Sequence, residues 1–292
     1  MNAQVTSLNE PSLLSGLNVL LEGPTGTGKT TALAKLAEVS PNLQVFFEFT
    51  ENGLETLLGY FADRDKPLPP NVHYHTLDRG SGGFATLKKG ADDVLNFAQE
   101  ALHKMQDPNR VKHNQFNTFL GQMVNFKCDH CGQSFGAVDS WGPNRLLAVD
   151  SLSGINPIAM SLVIGNKPVR SQAEWGIAQD QIEKLIRQFT DGCKCHFVLT
   201  AHVERETDQV FGGVKVTVAT LGKALAPKIP PLFSEVILTV RNGAQFTWST
   251  ANPQADLKTR YLEIKDGLLP EFKPIFDKWL KRGGKFSSTV KV

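Results

Sequence analysis

The sequence feature that most constrains the fold is a glycine-rich segment between an apolar run and an amphipathic run. Residues 17–22 are mostly apolar, residues 23–30 read Gly-Pro-Thr-Gly-Thr-Gly-Lys-Thr, and residues 31–39 carry apolar side chains at helical spacing. A short apolar run followed by turn residues predicts a buried strand, and the helical spacing predicts a helix. A strand, a tight turn and a helix in this order indicate an α/β domain with a largely parallel sheet.

The glycine-rich segment matches the pattern G-x-x-x-x-G-K-[ST] at every position. Glycines let successive backbone N–H groups point at phosphate oxygens, the lysine adds charge at the β- and γ-phosphates, and the threonine hydroxyl ligates magnesium. The segment therefore predicts a site for ATP with Mg²⁺; the alternative is a chance glycine-rich turn. The predicted nucleotide-binding residues are Gly23, Pro24, Thr25, Gly26, Thr27, Gly28, Lys29 and Thr30.

A second magnesium residue is expected at the end of another apolar strand, because such sites hold the metal through a carboxylate. Asp150 closes the apolar run 145–150 and is followed by Ser151. We predict that Asp150 and Thr30 hold the magnesium ion. The alternative is an aspartate that caps a helix or a turn.

Hydrolysis also needs a group that orients the attacking water. Glu48 and Glu51 close the second strand, and Glu51 is the preferred candidate because it lies where the strand turns into a loop. His202 ends the run 197–201 and would sense the γ-phosphate if that strand lies beside the one that carries Asp150. A capping or surface role for His202 is equally open.

The remaining pattern predicts an α/β fold with a mostly parallel central sheet, helices on both faces and an antiparallel carboxyl-terminal edge. Asn242-Gly243 marks the hairpin at that edge. We expect one domain over 1–282, with an insertion at about 107–144 and a flexible tail at 283–292. The further predicted strands are 43–49, 72–76, 145–150, 196–201, 235–240, 244–249 and 259–264; the predicted helices are 91–105, 175–189 and 270–281, and 78–90 is predicted to be a loop.

Four cysteines occur as two close pairs, Cys128/Cys131 and Cys193/Cys195. Each pair lies just ahead of an apolar strand, so adjacent parallel strands would bring both pairs to the sheet edge opposite the nucleotide. The first pair has the spacing of a zinc knuckle. We therefore expect a structural Zn²⁺ held by four thiolates; ordinary thiols are the alternative.

The composition is that of an ordinary globular protein, with 292 residues, 41% apolar residues and a net charge of +2. The small net charge does not by itself argue for nucleic acid. No apolar run is long enough to span a membrane, and residues 1–11 lack an apolar secretory core. We expect a cytoplasmic protein.

The ordered motifs resemble those of the RecA-like ATPase fold: the glycine-rich segment, Glu51, a strand that ends in Asp150-Ser151, and Thr200-Ala201-His202. More closely, the chain is similar to phage-encoded nucleotide-binding proteins related to core-only RecA-like single-strand annealing proteins. Further matching stretches are residues 199–208, 221–227, 256–260 and 269–272. The resemblance implies an ATP-binding core in the host cytoplasm, homo-oligomers with nucleotide at subunit interfaces, and action on single-stranded DNA in recombination or replication.

In such proteins two loops face DNA, and here they correspond to about 152–172 and 203–232. The first loop contains Lys167 and Arg170 and the second contains Lys215, Lys223 and Lys228, which suit contacts with backbone phosphates. Aromatic side chains for base stacking are sparse, with Phe211 inside the second loop and Phe233 at its edge.

Lys258 and Arg260 lie where RecA-type proteins can present a cation to a neighbour's γ-phosphate; structural pairing is the alternative for both. Two other functions stay open. One is an ATPase switch that acts on a protein partner without DNA. The other, ranked last, is a small-molecule kinase, because the segment 203–232 holds one arginine, Arg205, and so lacks an arginine-rich lid.

Overall fold

The protein is built around a seven-stranded sheet with the strand order β3-β2-β4-β5-β1-β8-β9. The computed structural model describes residues 14–78, 83–96, 114–165, 167, 169–207 and 212–286. The strands of the sheet are β1 (Asn18–Glu22), β2 (Gln44–Phe49), β3 (Val72–Thr76), β4 (Arg145–Asp150), β5 (His196–Ala201), β8 (Glu235–Asn242) and β9 (Gln245–Ser249), and a separate two-stranded hairpin holds β6 (Val203–Thr207) and β7 (Val214–Val218).

Six strands of the central sheet run parallel, and β9 pairs antiparallel with β8 at one edge. The inner strands are apolar almost throughout because both of their faces are covered. The predicted α/β class, the mostly parallel sheet and the antiparallel carboxyl-terminal edge are therefore confirmed.

Helices cover both faces of the sheet. On one face lie α1 (Lys29–Ala34), α2 (Leu54–Ala62) and α7 (Lys273–Lys281); on the other lie α4 (Gln115–Val124), α5 (Leu152–Ile164) and α6 (Gln172–Arg187); α3 is Gly83–Asn96. Each face has its own apolar core, one that includes Phe47 and Trp279 and one that includes Phe46 and Phe197. Alternation along the strands supplies both cores from the same sheet.

Three sequence-based assignments are corrected. Residues 83–90 belong to helix α3 and not to a loop, although glycines and lysines are frequent there. Most of the predicted loop 152–172 is helix α5, because Leu152, Ile155 and Ile158 recur at helical spacing and are buried. Residues 259–264 form bends and irregular backbone and not a strand.

The predicted helix 91–105 is described only as far as Asn96, and the rest of it lies outside the described residues. The same holds for residues 107–113 of the insertion and for 287–292 of the tail. Within the tail, Phe286 packs against Trp279, with the ring centroids 5.6 Å apart. None of the helices in the described part of the chain is both long and apolar enough to cross a membrane.

Helix α7 is anchored by Trp279, which is fully buried. Its ring packs edge-on to His196 of β5 with centroids 4.7 Å apart, and its Nε1 donates to the Ser15 carbonyl at 3.0 Å. Trp279→Ala should lower the free energy of unfolding by about 3–5 kcal/mol, because it removes a buried aromatic ring and leaves a cavity. Urea unfolding measures this loss. The matched control is Leu280→Ala at the exposed neighbouring position, and equal losses in the two variants would contradict this packing.

Candidate functional site

The candidate site lies where three parallel strands end at the same edge of the sheet. Strand β5 pairs with both β1 and β4, so the residues that follow these strands come together. Gly23 follows β1 and donates its backbone N–H to the carbonyl of Ala201 at 3.1 Å. Asp150 ends β4, and His202 follows β5. The condition under which His202 was expected near the site, adjacency of its strand to the Asp150 strand, is met.

The segment 23–30 forms a tight loop that needs its glycines. Gly26 and Gly28 have φ values of 75° and 82°, a left-handed conformation that glycine adopts without steric cost. A Cβ atom on Gly23 would lie 2.0 Å from Oγ1 of Thr239 in β8. The Thr27 hydroxyl lies 2.6 Å from the Thr239 hydroxyl and donates to the Pro24 carbonyl at 2.7 Å. The loop is therefore held closed by its own residues and by β8.

The ammonium group of Lys29 lies against this loop. It donates to the carbonyl oxygens of Gly23 and Pro24 at 2.7 and 2.8 Å, and the residue is 7% exposed. Burial lowers the pKa of Lys29 to about 8, while the nearby carboxylates of Asp150 and Glu51 favour the charged form. The loop thus holds a buried positive charge beside two carboxylates.

Asp150 is almost fully buried and accepts two hydrogen bonds from hydroxyl groups. Thr30 Oγ1 donates to Oδ2 at 2.7 Å, and Thr200 Oγ1 donates to Oδ1. Burial raises the pKa of Asp150, and the hydrogen bonds from Thr200 and Thr30 oppose that effect. The structure therefore brings together the two residues that the sequence predicted as magnesium ligands.

Glu51 and His202 complete the site, whereas Glu48 lies elsewhere. Ser151 Oγ donates to Glu51 Oε2 at 2.5 Å, and His202 Nε2 lies 3.7 Å from the same oxygen. Glu51 and His202 are each about one-third exposed, so solvent reaches them. Glu48 is fully buried and pairs with His75 Nδ1 at 2.9 Å. The geometry agrees with the choice of Glu51 over Glu48 as the residue that faces the site.

The other face of the loop contacts two residues that the sequence analysis did not single out. The ring of Phe246 in β9 packs against Gly28, and a guanidinium nitrogen of Arg241 in β8 lies near Gly26. The Arg241 guanidinium also lies over the Phe246 ring, 5.4 Å from its centroid. No motif marks these residues. The hairpin signal at Asn242-Gly243 predicted their pairing but not that the hairpin would border the loop.

The predicted four-thiolate zinc site is corrected. In the described part of the chain, the sulfur atoms of Cys128 and Cys131 group with a ring nitrogen of His73, within 4.8 Å of one another. Cys193 and Cys195 precede β5 and interact with each other. The two pairs stay apart because the Cys128 turn packs on edge strand β3, whereas β2 and β4 lie between β3 and β5.

The lysines predicted to contact DNA are all paired with carboxylates. The four pairs are Lys167–Glu174 at 2.8 Å, Lys215–Asp256 at 3.0 Å, Lys223–Glu206 at 3.0 Å and Lys228–Glu183 at 2.8 Å. Arg170 lies over the Trp175 ring, and Phe233 is buried in the core, so it is not a stacking surface. Phe211 lies outside the described residues. The Lys167 and Glu174 side chains are only 15% and 20% exposed, whereas the lysines of the other three pairs are exposed, and ion pairs of the exposed kind contribute only about 0–1 kcal/mol.

Lys258 and Arg260 contact the opposite end of strand β8 from the residues that border the loop. The Lys258 backbone pairs with Val236, and its Nζ donates to the Pro231 carbonyl at 3.3 Å. The Arg260 backbone N–H donates to the buried carboxylate of Glu235 at 2.5 Å. These contacts agree with the structural alternative, and the cationic role toward a neighbouring subunit stays a prediction.

Comparison with protein-family models finds no match for the chain, and comparison with curated proteins finds no significant match. The functional assignment therefore depends on the site itself.

The buried charge of Lys29 should lower the free energy of unfolding. Its pKa falls from 10.5 to about 8, so below pH 8 the folded protein holds a disfavoured ammonium that destabilises it by about 3 kcal/mol. Between pH 8 and 10.5 the unfolded chain binds more protons than the folded chain, so stability rises with pH. Lys29→Met removes the charge together with its two hydrogen bonds to the Gly23 and Pro24 carbonyls, so the pH dependence of stability is the property that reports on the ammonium alone.

In urea unfolding without nucleotide, we expect the stability of the natural protein to rise between pH 8 and 10.5 as Lys29 loses its proton in the folded state. The rise in stability between pH 8 and 10.5 should be smaller in Lys29→Met by about 3 kcal/mol. Parallel pH profiles for the two proteins would show that the Lys29 ammonium is not disfavoured in the fold.

Proposed function

We propose that this protein binds ATP with Mg²⁺ at residues 23–30 and hydrolyses it, as a RecA-like ATPase that acts on single-stranded DNA. The observation that carries the proposal is the convergence of five groups at one sheet edge. They are the closed glycine loop, the Lys29 ammonium, the Thr30–Asp150 hydrogen bond, Glu51 and His202.

The residues of the loop fit a triphosphate with magnesium. The Lys29 ammonium is bonded to two loop carbonyls, which are neutral partners, so an anion offers it a stronger bond. Thr30 and Asp150 already share a hydrogen bond at 2.7 Å and would hold the metal, with Thr30 as a direct ligand. Bound magnesium neutralises charge that develops on the β- and γ-phosphates.

Glu51 is the residue best placed to orient a water molecule. Its Oε2 accepts from Ser151, which fixes the carboxylate, and its other oxygen is free of this bond. Solvent reaches the group, and Lys29 is close enough to influence it electrostatically. We assign to Glu51 the orientation of the attacking water and the acceptance of its proton.

His202 connects the site to the segment that follows it. Its Nδ1 lies 3.5 Å from both Lys29 Nζ and Thr25 Oγ1, and its Nε2 faces Glu51. Hairpin β6–β7 begins at the next residue. Ala219, directly after the hairpin, donates its N–H to the His202 carbonyl at 2.8 Å. A change in the hydrogen bonds of His202 would therefore move the base of this hairpin.

The RecA-like assignment is supported by the strand order, in which β5 lies between the glycine-loop strand β1 and the Asp150 strand β4. The motif resemblance to phage-encoded single-strand annealing proteins supports action on single-stranded DNA and assembly into homo-oligomers. The hairpin β6–β7 after His202 is the element that would contact the DNA backbone, through Lys215 and the nearby Lys223.

A second candidate function is an ATPase switch that acts on a protein partner without DNA. The pairing of Lys167, Lys215, Lys223 and Lys228 with carboxylates favours it, because the surface then presents balanced charges and not a basic stripe. DNA-dependent hydrolysis distinguishes the two functions.

The role of Glu51 predicts a loss of hydrolysis without a loss of binding. Glu51→Gln should lower kcat by about 10²- to 10⁴-fold, because the amide cannot accept the proton of the attacking water. Phosphate release measures kcat, and calorimetry should give an unchanged Kd for ATP. The matched control is Glu48→Gln inside β2, three residues before Glu51, which should leave kcat unchanged because Glu48 faces His75. A similar loss of kcat in both variants would contradict the role of Glu51 in orienting the attacking water.

The experiment that tests the proposed function is ATP hydrolysis with and without single-stranded DNA, first at low salt, where phosphate contacts are strongest. We expect magnesium-dependent hydrolysis that single-stranded DNA stimulates, and an inactive Lys29→Ala variant. Stimulation should fall as salt rises. Hydrolysis that DNA never changes would favour the protein-partner switch, and full activity in Lys29→Ala would overturn the site.

A further inference from the structure

Residues 126–136 form a small hairpin whose tip carries Cys128 and Cys131. The Phe126 N–H donates to the Gly136 carbonyl at 3.0 Å, and Lys127 and Ser134 pair as an antiparallel bridge. At the tip, Cys128 N–H donates to the Gln133 carbonyl at 2.9 Å, and Gly132 N–H donates to the Cys128 carbonyl at 2.9 Å. Gly132 has φ 72°, a conformation that suits glycine. This tight turn brings the two thiols together.

The tip packs on edge strand β3, which supplies a third donor. The sulfur atoms of Cys128 and Cys131 and a ring nitrogen of His73 all lie within 4.8 Å of one another. The distance from Cys131 Sγ to His73 Nδ1 is 3.8 Å. Zinc–sulfur and zinc–nitrogen bonds of about 2.3 and 2.0 Å at a tetrahedral angle put the two donor atoms about 3.5 Å apart. The observed separation is thus close to that of two ligands of one ion.

His73 is a buried polar side chain without an adequate partner in the described part of the chain. It is 6% exposed, its Nε2 has no hydrogen-bond partner there, and its Nδ1 faces only a thiol, which bonds weakly. Its ring lies between Phe46 and Phe135, with centroids 4.8 and 4.2 Å away. A zinc bond at Nδ1, the ring nitrogen that faces Cys131, would replace this weak thiol contact and offset part of the free energy that burying the imidazole costs.

We propose that His73, Cys128 and Cys131 bind one Zn²⁺ ion, which fastens the 126–136 hairpin to the edge of the central sheet. Two thiolates and a neutral imidazole give a zinc complex with no net charge, which suits the apolar surroundings of Phe46 and Phe135. Sulfur and nitrogen donors also select zinc over magnesium and calcium. Three ligands leave the fourth coordination position of a tetrahedral ion open, and the exposure of Cys131 shows that solvent reaches the site.

The hairpin covers a strand edge that would otherwise be open. Strand β3 is the last strand of the sheet on this side, and Asp129 at the tip contacts it twice. The Asp129 N–H donates to the Tyr74 carbonyl at 2.8 Å, and its Oδ2 accepts from the Thr76 N–H at 2.8 Å. Uncovered edge strands invite pairing with other chains. Zinc therefore protects this edge, and it acts independently of nucleotide binding.

The test is the metal content of the full chain, purified without chelators and measured by plasma mass spectrometry. We expect one zinc per chain, and thiolate-to-metal charge-transfer absorption after replacement of zinc by Co²⁺. Cys131→Ser removes a ligand at an exposed position and should weaken zinc binding by more than the roughly 10- to 100-fold lost with an outer-shell partner. His73→Gln should have the same effect. Far-ultraviolet circular dichroism checks that both variants fold.

The matched control is the double variant Cys193→Ser/Cys195→Ser, which should keep its zinc and its cobalt spectrum. Loss of zinc in this control, with retention in His73→Gln, would replace the proposed ligand set by the four cysteines. Absence of zinc and of cobalt absorption in the folded natural protein, or full zinc content in Cys131→Ser, would overturn the proposal.

Discussion

The candidate site depends on the parallel pairing of β5 between β1 and β4. This pairing uses backbone hydrogen bonds between apolar strands, yet it determines which polar groups meet. Gly23 is tied to the Ala201 carbonyl, and Asp150 accepts a hydrogen bond from Thr200 of β5. A shift of one residue in the β4–β5 register would turn the Thr200 side chain to the other face of the sheet relative to Asp150 and separate the two.

The fold disfavours the charges at this edge of the sheet because it buries them. Lys29 and Asp150 are both buried. Burial lowers the pKa of Lys29 and raises the pKa of Asp150, so it favours the neutral form of each side chain. The site thus holds buried charged groups whose hydrogen-bond partners are loop carbonyls and threonine hydroxyls. Perturbed groups of this kind cluster at functional sites. By contrast, the lysines of the later segments form ordinary surface ion pairs.

Most of the sheet could be predicted from the sequence, because its strands are short apolar runs that follow turn residues. The local motif also predicted the glycine loop, and the position at a strand end predicted Asp150, Glu51 and the neighbourhood of His202. Helix α3 was missed because its glycines and lysines are typical of a loop. Helix α5 was missed because residues 152–172 were assigned as a loop by resemblance, although their apolar spacing is helical.

Contacts between distant segments could not be predicted from spacing. His73 lies inside the short strand β3 and becomes a candidate ligand only because the tip of the 126–136 hairpin packs on that strand. The four-cysteine prediction assumed that two cysteine pairs ahead of adjacent strands lie close together. Instead, the turn with Cys128 and Cys131 packs on edge strand β3, away from Cys193 and Cys195. Phe246 and Arg241 border the glycine loop because β8 pairs with β1, a pairing that no local pattern specifies.

The central claim is that Thr30 and Asp150 hold magnesium on a nucleotide bound at the glycine loop. Calorimetric titration with a non-hydrolysable ATP analogue tests it most directly, with Mg²⁺ and with EDTA, on the natural protein and on Asp150→Asn. We predict one site per chain and an affinity that magnesium raises at least about tenfold in the natural protein, since a hydrogen bond to a charged group contributes about 1.5–3 kcal/mol. Magnesium should raise the affinity of Asp150→Asn far less. An equal effect of magnesium on both proteins, or no binding to the natural protein, would contradict the account.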